Sequence, residues 1–209
     1  MKKNTIYVRY LKRALDIIVS FVGIVLLSPV FLLVALAIWV DDPGPVLFTQ
    51  KRFGQDKKYF MLHKFRSMKL SAPHDIPTHL LSNPDQYITR VGRFIRKFSL
   101  DEIPQIWDIL LGAMSIVGPR PALWNQEDLI QERDRYGANA LRPGLTGWAQ
   151  INGRDELPIS VKARYDGEYA ENISFSMDLK CFFGTFIPVL CHRGYLEGGS
   201  SQSQETGKK

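Results

Sequence analysis

The sequence predicts an α/β fold, mostly helical with a small β-hairpin, behind an N-terminal helix that enters a membrane. Three observations carry this. Residues 17–40 contain no charged side chain. Two strand-like arms, VLFTQKR and KKYFMLHKFRSM, flank the turn residues Gly54-Gln55-Asp56. Beyond them apolar residues recur at helical spacing in several segments. The chain divides into residues 1–40, a basic N-terminus with the membrane segment; residues 41–196, a compact domain; and residues 197–209, a polar tail expected to be disordered. With 45% hydrophobic and 23% charged residues, the chain as a whole is not a disordered one.

The apolar run IIVSFVGIVLLSPVFLLVALAIWV would reach ~36 Å as one helix, longer than a ~30 Å hydrocarbon core. Lys2, Lys3, Arg9, Lys12 and Arg13 precede it and Asp41-Asp42 follow, so the N-terminus stays in the cytoplasm. Ser28-Pro29 halves the run. A mid-helix proline removes a hydrogen bond and clashes with the preceding turn, at ~3 kcal/mol. Two topologies follow from the residues alone. A kinked span would put the rest of the chain outside the cell, and a helix-break-helix hairpin would keep both ends in the cytoplasm.

In the second hairpin arm Phe60, Leu62, Lys64, Arg66 and Met68 share one face. Residues 70–86 form a proline-broken loop whose His74, Asp75 and His79 make a poor metal site. Residues 87–98 read as a basic amphipathic helix, with Ile88, Val91, Ile95 and Phe98 as its stripe and Arg90, Arg93, Arg96 and Lys97 around it. SLDEIPQ then opens a helix that Gly112 ends. Ser99 and Glu102 have capping-box spacing, so Asp101 and Glu102 read either as helix caps or as a catalytic pair. The nearby Arg96 favours phosphate at that helix start. Gly118-Pro-Arg120-Pro121 fixes the direction of an arginine. Residues 142–154, RPGLTGWAQINGR, combine backbone donors, two arginines and a tryptophan, a set suited to a nucleotide diphosphate. Residues 160–172 and 177–190 are further helices, the second strongly apolar.

The net charge of +6 fits nucleic acid, anionic lipid or phosphorylated substrates. Cys181 and Cys191 offer no disulfide framework or zinc site. No P-loop, GxGxxG or HExxH occurs, and no two aspartates stand two apart.

In order, KRALDI with Ser28-Pro29, LFTQKRFG, HKFRSM, SLDEIPQ, MSIVGPRP, LRPGLTGWAQINGR and RYDGEYAENISFSMDLK resemble the small monotopic phosphoglycosyl transferases of the bacterial sugar transferase family (PglC-like). The resemblance covers residues 12–180. It implies a re-entrant helix broken at Ser28 and Pro29, a catalytic domain on the cytoplasmic face of the bacterial inner membrane, and interfacial amphipathic helices. It further implies Asp101 as nucleophile and Glu102 as ligand to Mg2+. The donor would be a UDP-sugar and the acceptor polyprenyl phosphate, such as undecaprenyl phosphate, with an aspartyl-phosphosugar intermediate. Lys64, Arg96 and Arg120 would neutralise phosphoryl charge, and Arg142, Gln150 and Arg154 would shape the donor pocket. Asp166 would either pair with a cation or touch the sugar, and Trp148 would either stack on substrate or anchor the core. Membrane lipid is an expected partner and nucleic acid is not; a homodimer is compatible with the sequence, but no residue demands one. The competing reading is a membrane-anchored lipid- or nucleic-acid-binding protein without catalysis, which leaves the dyad, Arg120 and the Gly/Arg loop unexplained together.

Overall fold

The structure, a computed structural model, describes residues 6–73, 84–153 and 157–185. A π-helical turn, Tyr7–Leu11, leads into α1 (Lys12–Asp41). The hairpin follows as β1 (Leu47–Phe53) and β2 (Tyr59–Phe65), paired antiparallel with Phe48 opposite Lys64. Then come α2 (Arg90–Lys97), a 3-10 turn at Leu100–Glu102, α3 (Gln105–Leu111) and β3 (Ser115–Val117). The rest is α4 (Glu127–Asp134), β4 (Gly144–Thr146), α5 (Trp148–Ile151), α6 (Ile159–Glu171) and α7 (Phe175–Gly184). The fold is mostly helical with two small sheets, β1-β2 and the parallel pair β3-β4.

The α1 helix is a single element with Pro29 inside it, rather than two helices separated by a gap. Ser28 Oγ donates to the Val25 carbonyl at 2.8 Å, in the turn before the proline. One stripe of α1 faces the domain from end to end. At its start, Lys12 Nζ reaches Asp178 Oδ2 at 2.6 Å and the Val117 carbonyl at 2.9 Å. Arg13 caps the end of α3, donating to the carbonyls of Ile109 and Leu110, where a cation is favoured. Asp16 Oδ1 accepts the Ile116 amide. At the far end Val34 and Ile38 join Phe65 and Ile95 in the core, and Asp41 Oδ2 accepts the Val91 amide in the first turn of α2. The opposite stripe, including Phe21, Val25, Leu26, Leu32, Leu33 and Leu36, is exposed.

Most sequence expectations for the domain hold. Asp56 and Lys57 take positive φ in the hairpin turn. The helix expected over residues 87–98 starts later, at Arg90, where the Thr89 hydroxyl caps it, and Ile88 bridges to Met68 instead of joining the apolar stripe. Gly112, at φ 92°, ends α3 in the left-handed conformation, and its amide bonds back to Asp108 and Ile109. Ile95 is buried as expected, whereas Phe98 is exposed. The capping-box expectation fails. Ser99 is itself left-handed, at φ 55°, and makes no side-chain cap, while the Glu102 side chain turns away to two cations. The segment 142–154, expected as a Gly-rich loop, contains β4 and α5. The loop residues His74, Asp75 and His79, the end of the last predicted helix and the tail lie outside the described residues.

Candidate active site

Four stretches of chain converge on Asp101 and Glu102. The 3-10 turn between α2 and α3 carries the two carboxylates, β2 brings Lys64, the last turn of α2 brings Arg96, and the loop after β3 brings Arg120. Lys64 Nζ and Arg120 Nη2 each lie 2.7 Å from Glu102 Oε1. Arg120 Nη1 is 3.4 Å from Oε2. The Glu102 side chain is 14% exposed, so these are charge-assisted bonds in a poorly hydrated site. Burial alone would raise the Glu102 carboxyl, but Arg120 and Lys64 outweigh it and hold it well below the usual carboxylate range.

Asp101 differs. Among the described residues its side chain makes no hydrogen bond. Burial raises its pKa, Lys64 opposes the rise, the Glu102 charge adds to it, and Arg96 and Arg120 oppose it. The net direction is up. Two adjacent carboxyls are thus driven apart, one fixed as an anion by two cations and one left unbonded beside them.

The direction of Arg120 is set by a crossing of two loops. Gly118 N–H donates to the Thr146 carbonyl at 2.8 Å, and Gly144 N–H donates to the Pro119 carbonyl at 2.9 Å. A Cβ on Gly118 would stand 2.4 Å from the Arg142 carbonyl oxygen, which only glycine avoids. On the other side Arg52 donates to the Pro121 carbonyl at 3.0 Å, tying the same loop to the hairpin.

The remaining predicted residues fall into three groups. Arg142 lies near Arg13, close enough for their like charges to interact, and is not among the described cations that act on the dyad. Gln150 is 8% exposed, and neither atom of its amide head has a hydrogen-bond partner. A buried, unpaired amide is costly unless something else pairs it. Asp166 is 1% exposed and bonded by Arg133 at 2.7 and 2.8 Å, so the cation-pairing reading has its partner. Trp148 is committed as an anchor: Nε1 donates to Glu168, Lys180 lies over the ring at 4.5 Å, and Tyr165 meets it edge-on. Arg154 lies outside the described residues.

Sequence reasoning missed one pair beside the site. His63 Nδ1 lies 2.7 Å from Asp108 Oδ1, and the His63 amide donates to Asp108 Oδ2 at 2.9 Å. The signal was present: Asp108 is a lone acid within the otherwise apolar IWDILL stretch.

Among the described residues no group of three or more His, Cys, Asp or Glu side chains is placed to hold a metal. Magnesium does not require such a group. It is held by one or two carboxylates together with substrate phosphates and water. Glu102 supplies such a carboxylate, and among the described residues its Oε2 has only the 3.4 Å arginine contact, so the residues present fit it.

A carboxylate pair set among lysine and arginine lies beside a long apolar helix, a charge arrangement that suits phosphorylated ligands. The chain belongs to the bacterial sugar transferase family, whose profile matches residues 7–192. It is 42% identical over 184 residues to the UDP-glucose:undecaprenyl-phosphate glucose-1-phosphate transferase of Escherichia coli K12, a match covering 85% of this chain and 39% of that protein. It is 38% identical to the exopolysaccharide production protein PSS of Rhizobium leguminosarum bv. phaseoli, covering 86% of this chain and 95% of that one. It is 35% identical to the UDP-N-acetylgalactosamine-undecaprenyl-phosphate N-acetylgalactosaminephosphotransferase of Aeromonas hydrophila, covering 87% and 44% respectively. The chain therefore spans about two fifths of the length of the two nucleotide-sugar transferases among these.

Proposed function

We propose that this chain transfers a phosphosugar from a UDP-sugar to undecaprenyl phosphate in the membrane, through a covalent intermediate on Asp101. The observation that carries the reading is the split dyad: Glu102 is locked between Lys64 and Arg120, while Asp101 beside it makes no side-chain hydrogen bond among the described residues. The E. coli and Aeromonas relatives are both named for a UDP-sugar and undecaprenyl phosphate, and they differ in the sugar. That supports the donor and acceptor classes and leaves the sugar to experiment.

In the first step an Asp101 carboxylate oxygen bonds to the sugar-linked phosphorus. The bond from that phosphorus to the UMP oxygen breaks, and UMP leaves with the electron pair. In the second step an acceptor phosphate oxygen attacks the same phosphorus, and Asp101 leaves as a carboxylate. Neither step needs a proton. Lys64, Arg96 and Arg120 would neutralise the charge that spreads over the phosphoryl oxygens, and Glu102 already orients Lys64 and Arg120 before substrate arrives. Magnesium, held by Glu102 and the donor phosphates, would offset the repulsion between a carboxylate and a diphosphate. The unpaired Gln150 amide supports a place in the donor pocket, where substrate would complete its hydrogen bonds.

We further infer that α1 is re-entrant and that the domain lies on the cytoplasmic face of the inner membrane. Both ends of α1 bond to the same domain, which favours a helix that dips into one leaflet over one that crosses. Its bare stripe, with Phe94, Phe98, Trp107 and Leu111 of α2 and α3, offers apolar surface to lipid. Pro29 supplies a weak point at which the helix can bend.

The test is intact-protein mass after incubation with magnesium and a panel of UDP-sugars, without lipid acceptor. A gain of one phosphosugar, absent in Asp101→Asn and after chelation, is the expected result. UMP release that occurs only once acceptor is added, with no adduct, would replace the covalent route by direct displacement.

A further inference from the structure

We propose that Asp108 and His63 form a positioning clamp that holds Lys64 against Glu102. The clamp presupposes the proposed function of the site, and two contacts bridge the same elements. Residues 63 and 64 are neighbours on β2. His63 is bonded to Asp108 of α3, and Lys64 to Glu102 in the turn that leads into α3. Asp108 stands six positions after Glu102, so the strand is fastened to that segment at two successive rungs. One rung belongs to the site. The other lies outside it, and among the described residues its two side chains hydrogen-bond only within the His63–Asp108 pair.

The geometry of the outer rung is specific. The Asp108 side chain is 3% exposed and uses both oxygens on one residue: Oδ2 takes the His63 amide and Oδ1 takes the ring. With Asp108 ionised, Nδ1 carries the proton and the tautomer is fixed. Asp108 is itself held, because its carbonyl accepts the amides of Gly112, Ala113 and Met114. A flexible lysine loses reach when its strand slides by a fraction of an ångström, and small misplacements at a phosphoryl-transfer site are costly. A buried carboxylate that fixes the backbone amide of residue 63 suppresses that slide. An asparagine at 108 could keep the amide bond but would meet the ring with a different donor pattern.

The experiment compares Asp108→Asn and His63→Gln in two backgrounds, the natural chain and Lys64→Met. The readouts are UMP release, melting temperature, and the rate at which Lys64 is acetylated by an N-hydroxysuccinimide ester in donor-free protein, measured by peptide mass with the exposed Lys57 as internal control. If the clamp acts through Lys64, Asp108→Asn lowers kcat about 10- to 100-fold with a smaller change in KM. The same substitution then costs less than about twofold when Lys64 is already methionine, although the fall in melting temperature is equal in both backgrounds. Lys64 acetylation accelerates several-fold in Asp108→Asn and His63→Gln, while Lys57 is unchanged. Equal activity losses in both backgrounds, or unchanged Lys64 acetylation, would overturn the clamp. If the natural chain releases no UMP, the functional reading fails instead, and the acetylation rates still decide whether the clamp positions Lys64.

Discussion

Lys64 and Glu102 meet at 2.7 Å, and Arg120 reaches the same Glu102 oxygen at the same distance. One carboxylate therefore orients two cations that would otherwise repel each other. Replacing it by glutamine removes the charge and leaves the shape. Glu102→Gln is expected to lower kcat/KM by ~100-fold or more, since preoriented charge is a large share of phosphoryl-transfer catalysis. The stability cost is smaller. The Arg120 side chain is 33% exposed and solvent screens that pair, but Lys64 is only 19% exposed, so about 1–3 kcal/mol, or roughly 2–12 °C in melting temperature, is expected. Steady-state kinetics beside a thermal melt separate the two effects, and a melt that collapses along with activity would assign Glu102 to the core instead.

The pH dependence follows from the same split. Asp101 is raised, so in the folded protein its protonated form persists above the ordinary aspartate range. A protonated carboxyl is no nucleophile, and the acid limb of UMP release should therefore lie above that range. Glu102 is held low and stays ionised across the window. The stability signs oppose each other. The Asp101 contribution is present at low pH and lost as pH rises through its raised value. The Glu102 contribution is present above its unfolded value and lost only as pH falls through its depressed one. Arg96 pulls Asp101 down, so Arg96→Gln should move the acid limb to higher pH. A pH–rate profile of adduct formation checks this, and an unmoved limb would mean that another group controls it.

Asp166 and Arg133 form a pair of another kind, 1% and 4% exposed at the side chains, between α6 and α4. Burial raises the Asp166 pKa even though Arg133 opposes it. Asp166→Ala leaves a guanidinium buried without an anion, which costs about 3–5 kcal/mol. The double variant Asp166→Leu with Arg133→Met should recover most of that loss. Activity per folded molecule should be nearly unchanged. Chemical denaturation of the three proteins tests the first two statements, and a loss of kcat in a fully folded double variant would return Asp166 to the substrate.

The hairpin, α2, α6 and the Gly112 stop were legible because each rests on local periodicity or turn chemistry. The dyad was legible only as one of two readings. SLDE spacing serves a capping box as well as a site, and nothing local decides between them. The decision comes from Lys64 and Arg120, which are 38 and 18 residues away from Glu102. The parallel pairing of β3 with β4 was hidden because each strand has three residues, too short for a period to show. The partner of Asp166 was hidden for a related reason: Arg133 lies in EDLIQERD, a stretch that reads as a solvated face.

The topology of α1 is where sequence and structure give different kinds of support. Ser28-Pro29 marks a bend by chemistry, whereas the structure keeps one helix and shows what its ends hold. Lys12 is bonded to Asp178, which also accepts the hydroxyls of Tyr7 and Tyr169 at 2.6 Å each. The other end is tied to α2 through Asp41. Pulling the N-terminal end across a bilayer would strip the buried Asp178 of a lysine and a tyrosine and leave its charge without a cation. Single cysteines replacing Tyr10 and Lys58, both exposed, should therefore react with a membrane-impermeant maleimide from the same side of oriented vesicles. Labelling from opposite sides would show a span. In that case the contacts of Lys12 and Asp41 with one domain could not both exist in the membrane.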